Sequence, residues 1–262
     1  MAALLVGAGV LGLVVGSFLN VVVHRVPLGQ SVVSPPSACP SCGSRIRTRH
    51  NVPVAGWLVL RGRCADCDTP ISARYPLVEL ATGLLFAAVA WRIIDLHLAA
   101  ALPAYLYFTA IGVALTLIDL DTRRLPNAIV LPSYPVLAVL LGVSAALRED
   151  WWSLARAGLG AAALFTFFLL VVLAHPAGMG WGDVKLAGLL GAVLAHISWA
   201  TFAVGAFAGF VLGAAVGIAV MAARQGGRKT ALPFGPFMIA GALLGLFAGD
   251  PIGAFYLEYL TG

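Results

Sequence analysis

The 262-residue sequence predicts an all-α polytopic membrane protein of about eight transmembrane helices, interrupted once by a small polar insert. Three observations predict it. Apolar residues make up 61% of the chain and charged ones 10%, where soluble domains carry about 25% charged. The apolar residues fall in long runs, most of them close to the roughly 20 that a bilayer-spanning helix needs. The charged side chains, costly inside lipid, gather between those runs. An ordinary soluble enzyme, a disordered chain and a fibrous protein are excluded.

The elements follow in order. Residues 3–23 form the first span. Their apolar stretch is longer than a signal-peptide core and no small-residue cleavage site follows it, so the span is expected to be retained. Residues 24–76 turn to Pro, Ser, Arg and all four cysteines, and form the insert. Apolar runs then lie near 77–94, 98–118, 128–147, 154–174, 184–197, 199–223 and 233–249, which makes 77–262 a seven-helix membrane domain. The stretch from 184 to 223 is too long for one helix and divides at His196–Ser198. No internal repeat is evident.

Charge orients the chain. With the insert on the cytoplasmic side, loops 119–127, 175–185 and 224–232 share that side. All Lys and Arg then lie inside, Arg224, Arg228 and Lys229 among them, except Arg92, Arg148 and Arg156. This is a strong positive-inside pattern. It puts both termini outside and accounts for the net charge of +5 by topology, with membrane lipids as partners and no nucleic acid.

The cysteines form two pairs, Cys39-Pro-Ser-Cys42 and Cys64-Ala-Asp-Cys67, separated by twenty-one residues. Each CxxC turns two sulfurs toward one point, and the segment between them returns to close a tetrahedron. The expectation is a cytoplasmic zinc-ribbon-like insert with structural Zn2+. Its core is too small to be stable unaided, so the metal would supply folding energy. The rivals are a redox dithiol, disfavoured by the cytoplasmic placement and the two matched pairs, and an unmetallated reduced state. His50 is an alternative ligand.

Three aspartates stand at the inner edge of the membrane. Asp119 and Asp121 end the third span, and Asp183 begins the sixth behind Gly178, Gly180 and Gly182. Each also has a plain structural role open to it: snorkelling, pairing with Arg123, Arg124 or Lys185, or capping a helix. Two facing carboxylates also have a chemical use. One keeps a proton and polarises a carbonyl while the other takes a proton from water, hydrolysing a peptide bond without a covalent intermediate. No GxSxG or HExxH motif competes.

Several blocks stand in a fixed order along the chain. They are Gly16-Ser-Phe-Leu-Asn20 with His24-Arg-Val-Pro27, the two cysteine pairs with Asn51-Val-Pro53 and Trp57, and Arg74-Tyr-Pro-Leu-Val-Glu79. Asp119 with Leu125-Pro-Asn127, Gly180-Trp-Gly-Asp-Val-Lys185 and Pro233-Phe-Gly-Pro-Phe237 complete them. In these the chain resembles the prepilin peptidases, the bifunctional leader peptidases and methyltransferases of type IV pilus and type II secretion systems. Val54-Ala-Gly56 and Asn127 depart from the family's usual residues, without touching the aspartates.

The resemblance implies a GxGD-type aspartic endopeptidase in the bacterial inner membrane. It would remove the basic leader of type IV prepilins or pseudopilins at the cytoplasmic face. It would also N-methylate the new terminus with S-adenosylmethionine. By motif position Asp119 and Asp183 are the catalytic pair, with Asp121 an accessory acid for the leader's basic residues. Lys185, Gly180, Gly182 and Glu79 are accessory or substrate-binding candidates, and Cys39, Cys42, Cys64 and Cys67 the metal ligands. For Glu79, pairing with Arg74 or with a helix terminus stands beside a role in substrate or methyl-donor binding. Gly235 and Pro236 are expected to break or bend the last span. Two other readings remain: a transporter or scaffold whose acids carry ions, and a peptidase without the methyltransferase, since no glycine-rich nucleotide fingerprint occurs.

Overall fold

A computed structural model of the chain describes residues 1–176, 179–223 and 233–261; Gly178, Arg224, Arg228 and Lys229 lie outside the described residues. The chain divides into two compact units, Met1–Ala114 and Leu115–Gly262.

The first unit holds helix α1 (Ala2–Arg25), the insert with its short helix α2 (Ala55–Val59), helix α3 (Arg74–Asp95) and the start of α4 (Leu102–Thr122). Helices α1 and α3 pack along a seam of small residues. A methyl group on Gly12 would lie 2.7 Å from Phe86 Cβ, and one on Gly16 would lie 2.8 Å from Glu79 Cα. Only glycine lets the backbones meet this closely, the small-xxx-small packing of helices in lipid.

The second unit holds the end of α4, then α5 (Asn127–Arg148), α6 (Trp151–Ala174), α7 (Trp181–Ile197), α8 (Trp199–Ala222) and α9 (Gly235–Thr261). Helix α7 is the core of this unit and packs against α5, α6, α8 and α9. Helices α8 and α9 repeat the glycine seam: a methyl on Gly241 would lie 2.7 Å from Gly209 Cα, and one on Gly245 would lie 2.6 Å from Gly205 Cα.

Among the described residues, seven helices are long and apolar enough to cross a membrane. The protein is an all-helical, multi-pass membrane protein. The expected sixth span, α7, is not among the seven. It has 17 residues, opening at Trp181 after the extended Gly180 and closing at the extended Ser198. The expected division at His196–Ser198 is where α7 ends and α8 begins.

Two further boundaries differ from expectation. Helix α4 runs past residue 118 to Thr122, with Asp119 and Asp121 in its last turn, at the end of the span as expected. Nothing stops the helix before Arg123, which turns left-handed at φ 54° and donates its N–H to Asp119 O at 2.8 Å. Gly235 and Pro236 start α9 instead of bending it. Proline in a first turn lacks only an N–H that would have no intrahelical partner.

The exit of α7 is held from a neighbouring helix. Arg156 of α6 donates to the carbonyls of Ala195, His196 (2.6 Å) and Ile197 (2.7 Å). These are last-turn carbonyls that the helix itself leaves without donors, and a cation suits the negative end of the helix dipole.

Candidate active site and metal centre

Asp119 and Asp183 are both buried, 5% and 9% exposed, in a chain where charge is scarce. Each is held by the main-chain N–H of a glycine. Asp119 Oδ2 accepts from Gly235 N–H at 3.1 Å, at the first turn of α9. Asp183 Oδ2 accepts from Gly180 N–H at 3.1 Å, and Asp183 N–H donates back to Gly180 O at 3.1 Å. Asp183 is therefore a helix-capping residue as well as a buried acid. Leu125 packs beside both acids, against Gly182 next to Asp183 and against Gly235, which holds Asp119. The positive N-terminal ends of α7 and α9 face this pair of acids.

Leu125 joins the two halves. Its Cβ would lie 2.9 Å from a methyl on Gly182, and its Cδ2 would lie 3.3 Å from one on Gly235. The side chain fills the space between the residue preceding Asp183 and the residue that holds Asp119. Sequence reasoning used Leu125 only as part of the Leu125-Pro-Asn127 block and gave its side chain no role.

The remaining candidates divide. Gly180 has an extended backbone at φ −82°, and a methyl there would make ordinary contact with Asp183 Oδ2 at 3.4 Å. Gly182 is the sterically constrained glycine. Lys185 donates to Asn127 Oδ1 at 2.9 Å, tying α7 to the start of α5, and its carbonyl accepts from Tyr134 Oη at 2.6 Å. Asp121 is exposed on the last turn of α4.

Glu79 belongs to the first unit, where Oε2 accepts from Val54 N–H at 2.7 Å. Of the roles open to it, the structure shows the helix-terminus one, since Val54 opens α2. Val54 has φ 61° and ψ −52°, and Ala55 N–H donates to Pro53 O across it. This is the rare positive-φ γ-turn, a strained geometry for a β-branched residue.

The four cysteines form one cluster, their sulfurs all within 4.8 Å of one another. The two pairs fold alike. Cys39 N–H donates to Ser44 O and Gly43 N–H to Cys39 O; Cys64 N–H donates to Thr69 O and Asp68 N–H to Cys64 O. Gly43 and Asp68 are both left-handed, at φ 71° and 55°. Cys39 Sγ and Cys67 Sγ are 3.8 Å apart. A tetrahedron with Zn–S bonds of about 2.3 Å has an S···S edge of about 3.8 Å, so the cluster fits a four-thiolate metal ion. Main-chain N–H groups of Cys42 and Ser41 draw the Cys39 thiol down to about 6. Cys67 is raised to about 11 despite the pull of the Thr69 hydroxyl and N–H, with Cys42 and Cys64 beside it. Arg47 pairs with Asp66 at 2.6 Å between the two knuckles. His50 is not part of the cluster.

Comparison with known proteins follows this division of the chain. Residues 10–93 match the bacterial peptidase A24 N-terminal domain, and residues 106–218 match the type IV leader peptidase family. A prepilin leader peptidase/N-methyltransferase of Stutzerimonas stutzeri is 35% identical, covering 95% of this chain and 92% of the relative. Proteins of the same description from Pseudomonas putida and Neisseria gonorrhoeae are 38% and 39% identical. The first alignment covers 97% of this chain and 93% of the relative, the second 71% and 73%. No solved structure matches the chain.

Proposed function

The chain belongs to the type IV leader peptidase family, and from that premise we propose that it is a membrane aspartic endopeptidase whose catalytic pair is Asp119 and Asp183. Its substrates are prepilins or pseudopilins, cut at the junction between the basic leader and the mature chain. The observation that carries this reading is the pair of buried carboxylates, each held through one oxygen by a glycine N–H.

One of two neighbouring carboxyl groups keeps its proton, and the pair titrates jointly. The ionised aspartate takes a proton from water, whose oxygen bonds to the scissile carbonyl carbon. The protonated aspartate polarises the carbonyl oxygen and transfers its proton to it. The resulting gem-diol collapses, the C–N bond breaks, and the leaving amine takes a proton from the dyad. Gly235 and Gly180 hold the acids through this cycle, and Gly182 admits Leu125 beneath them. Asp121, exposed at the rim, suits the basic residues of the leader. Lys185 acts through Asn127, keeping α5 and α7 in register.

The insert carries structural Zn2+ on Cys39, Cys42, Cys64 and Cys67; a closed set of four thiolates offers no position for substrate. The relatives' description supports N-methylation of the new terminus by S-adenosylmethionine. The cavity among Leu164, Phe168, Leu190, Phe210, Phe234 and Met238 is lined by apolar side chains and does not fit that donor, so no step is derived through it. The positive-inside pattern supports a bacterial inner membrane with the insert and aspartates on the cytoplasmic side.

The test is cleavage of a purified precursor in detergent or vesicles. Asp119→Asn and Asp183→Asn each abolish cleavage while the protein remains folded; full cleavage by either variant removes the assignment. The mass of the mature product reads the second activity: complete cleavage without an added methyl in the presence of S-adenosylmethionine removes it.

A further inference from the structure

We propose that the cysteine insert docks on the bilayer, with α2 pressing Leu58 and Val59 into the interface while Arg61 and Arg63 bind the headgroups of anionic phospholipids.

Depth is the first support. Glu79 lies five residues into α3 from Arg74, about 7.5 Å along the axis at 1.5 Å per residue. Its side chain leans back toward the N-terminus of α3, and its bond to Val54 N–H ties the start of α2 to the first turns of a candidate span. Ala55–Val59 follow at once, so this helix lies at headgroup level.

Surface chemistry is the second. Trp57 turns inward, donating Nε1–H to Ile71 O at 3.0 Å, with its ring against Gly62. The next two residues turn out: Leu58 is 60% exposed and Val59 76%. A small polar insert has no reason to show adjacent bare aliphatic side chains to water. On α3 of the same unit, Leu77 and Leu84 are exposed to a similar degree and face lipid. Leu58 and Val59 thus present the same kind of bare aliphatic surface as the span.

Charge is the third. Arg61 and Arg63 follow α2 directly and are exposed, as are Arg45 and Arg49. The insert's acids are few: Asp66 is paired with Arg47, and Asp68 sits in the second knuckle. Aliphatic residues flanked by arginines match the boundary between acyl chains and anionic headgroups. The same charge repels a basic peptide, so a precursor's leader is a poor occupant. The inference needs only a membrane-spanning chain, so it stands or falls separately from the peptidase reading.

The experiment uses the full chain in nanodiscs of equal phosphatidylcholine and phosphatidylglycerol, with a photo-crosslinking residue at Val59. The same label at Leu84 is the lipid-facing control and at Ser41 the solvent-facing control. Metal content is measured to verify an intact insert. The expected result is phospholipid adducts at positions 59 and 84 but not 41. The phosphatidylglycerol share at 59 should exceed that at 84 by about fivefold. Arg61→Gln with Arg63→Gln should bring the two positions level. Absence of lipid adducts at 59 while 84 labels would overturn the docking. Crosslinking of a co-reconstituted precursor at 59 in place of lipid would do the same. Equal lipid ratios at 59 and 84 in the unsubstituted background would overturn the headgroup selectivity.

Discussion

The two glycines before Asp183 look equivalent in the sequence and are not equivalent in the fold. A methyl on Gly182 would strike Leu125 Cβ at 2.9 Å, an atom next to the backbone that cannot swing aside as a side-chain tip can. A displacement of about 1 Å at a catalytic group costs on the order of 100-fold in rate. Gly182→Ala is therefore expected to lower precursor cleavage by about 10- to 100-fold, and Gly180→Ala by only a few-fold. Gly180→Pro, which removes the N–H that holds Asp183, should fall well below Gly180→Ala. Initial cleavage rates on protein that elutes as a single folded species decide this. Equal losses for both alanine variants would remove the distinction. The three inner-edge aspartates were legible in the sequence because charge is so rare there, and motif position singled out Asp119 and Asp183 among them. Leu125 was not, since steric fit between distant segments leaves no mark on composition or spacing. Glu79 was half legible: an acid early in a span demands a partner, but a backbone N–H in a strained turn cannot be read from the residues.

At the scale of elements, the exit of α7 depends on a side chain thirty-nine residues away. Arg156 replaces donors that the helix lacks at its end, through hydrogen bonds from a charged group, each worth about 1.5–3 kcal/mol. Arg156→Met keeps the apolar stem and removes the donors. It is expected to destabilise the second unit by about 2 kcal/mol, read as a lower melting temperature in detergent, and Arg156→Lys should restore part of the loss. A melting temperature unchanged in Arg156→Met would show that water serves those carbonyls as well. The sequence reading used Arg156 only to orient the chain. Helix boundaries show the same limit. The division at His196–Ser198 followed from length alone, whereas the run of α4 through Asp119 and Asp121 depends on where the chain first adopts a left-handed residue, at Arg123.

For the molecule as a whole, hydropathy and charge patterning made the helical class, the insert and most spans legible. They did not reveal the glycine seams, because thirty glycines scattered through an apolar chain look like composition rather than contact. The insert rests on different physics from the helices, since five of its residues form α2 and the cysteine cluster fits a metal. Metal analysis is expected to give about one zinc per chain. Cys39→Ser or chelation should expose residues 30–70 to protease with little change in helical circular dichroism. Protection of that segment in metal-free protein would show that the insert folds unaided. The shortness of α7 has a consequence of its own. At 17 residues it is about 10 Å shorter than α8, with which it is flush at Ser198. Its other end, which carries Asp183, therefore stops about two turns short of the far end of its neighbour. Helices α5, α6, α8 and α9 shield α7 from hydrocarbon on its sides. A helix too short to span ends within the depth of the membrane, and backbone there must be met by protein or by water rather than by lipid.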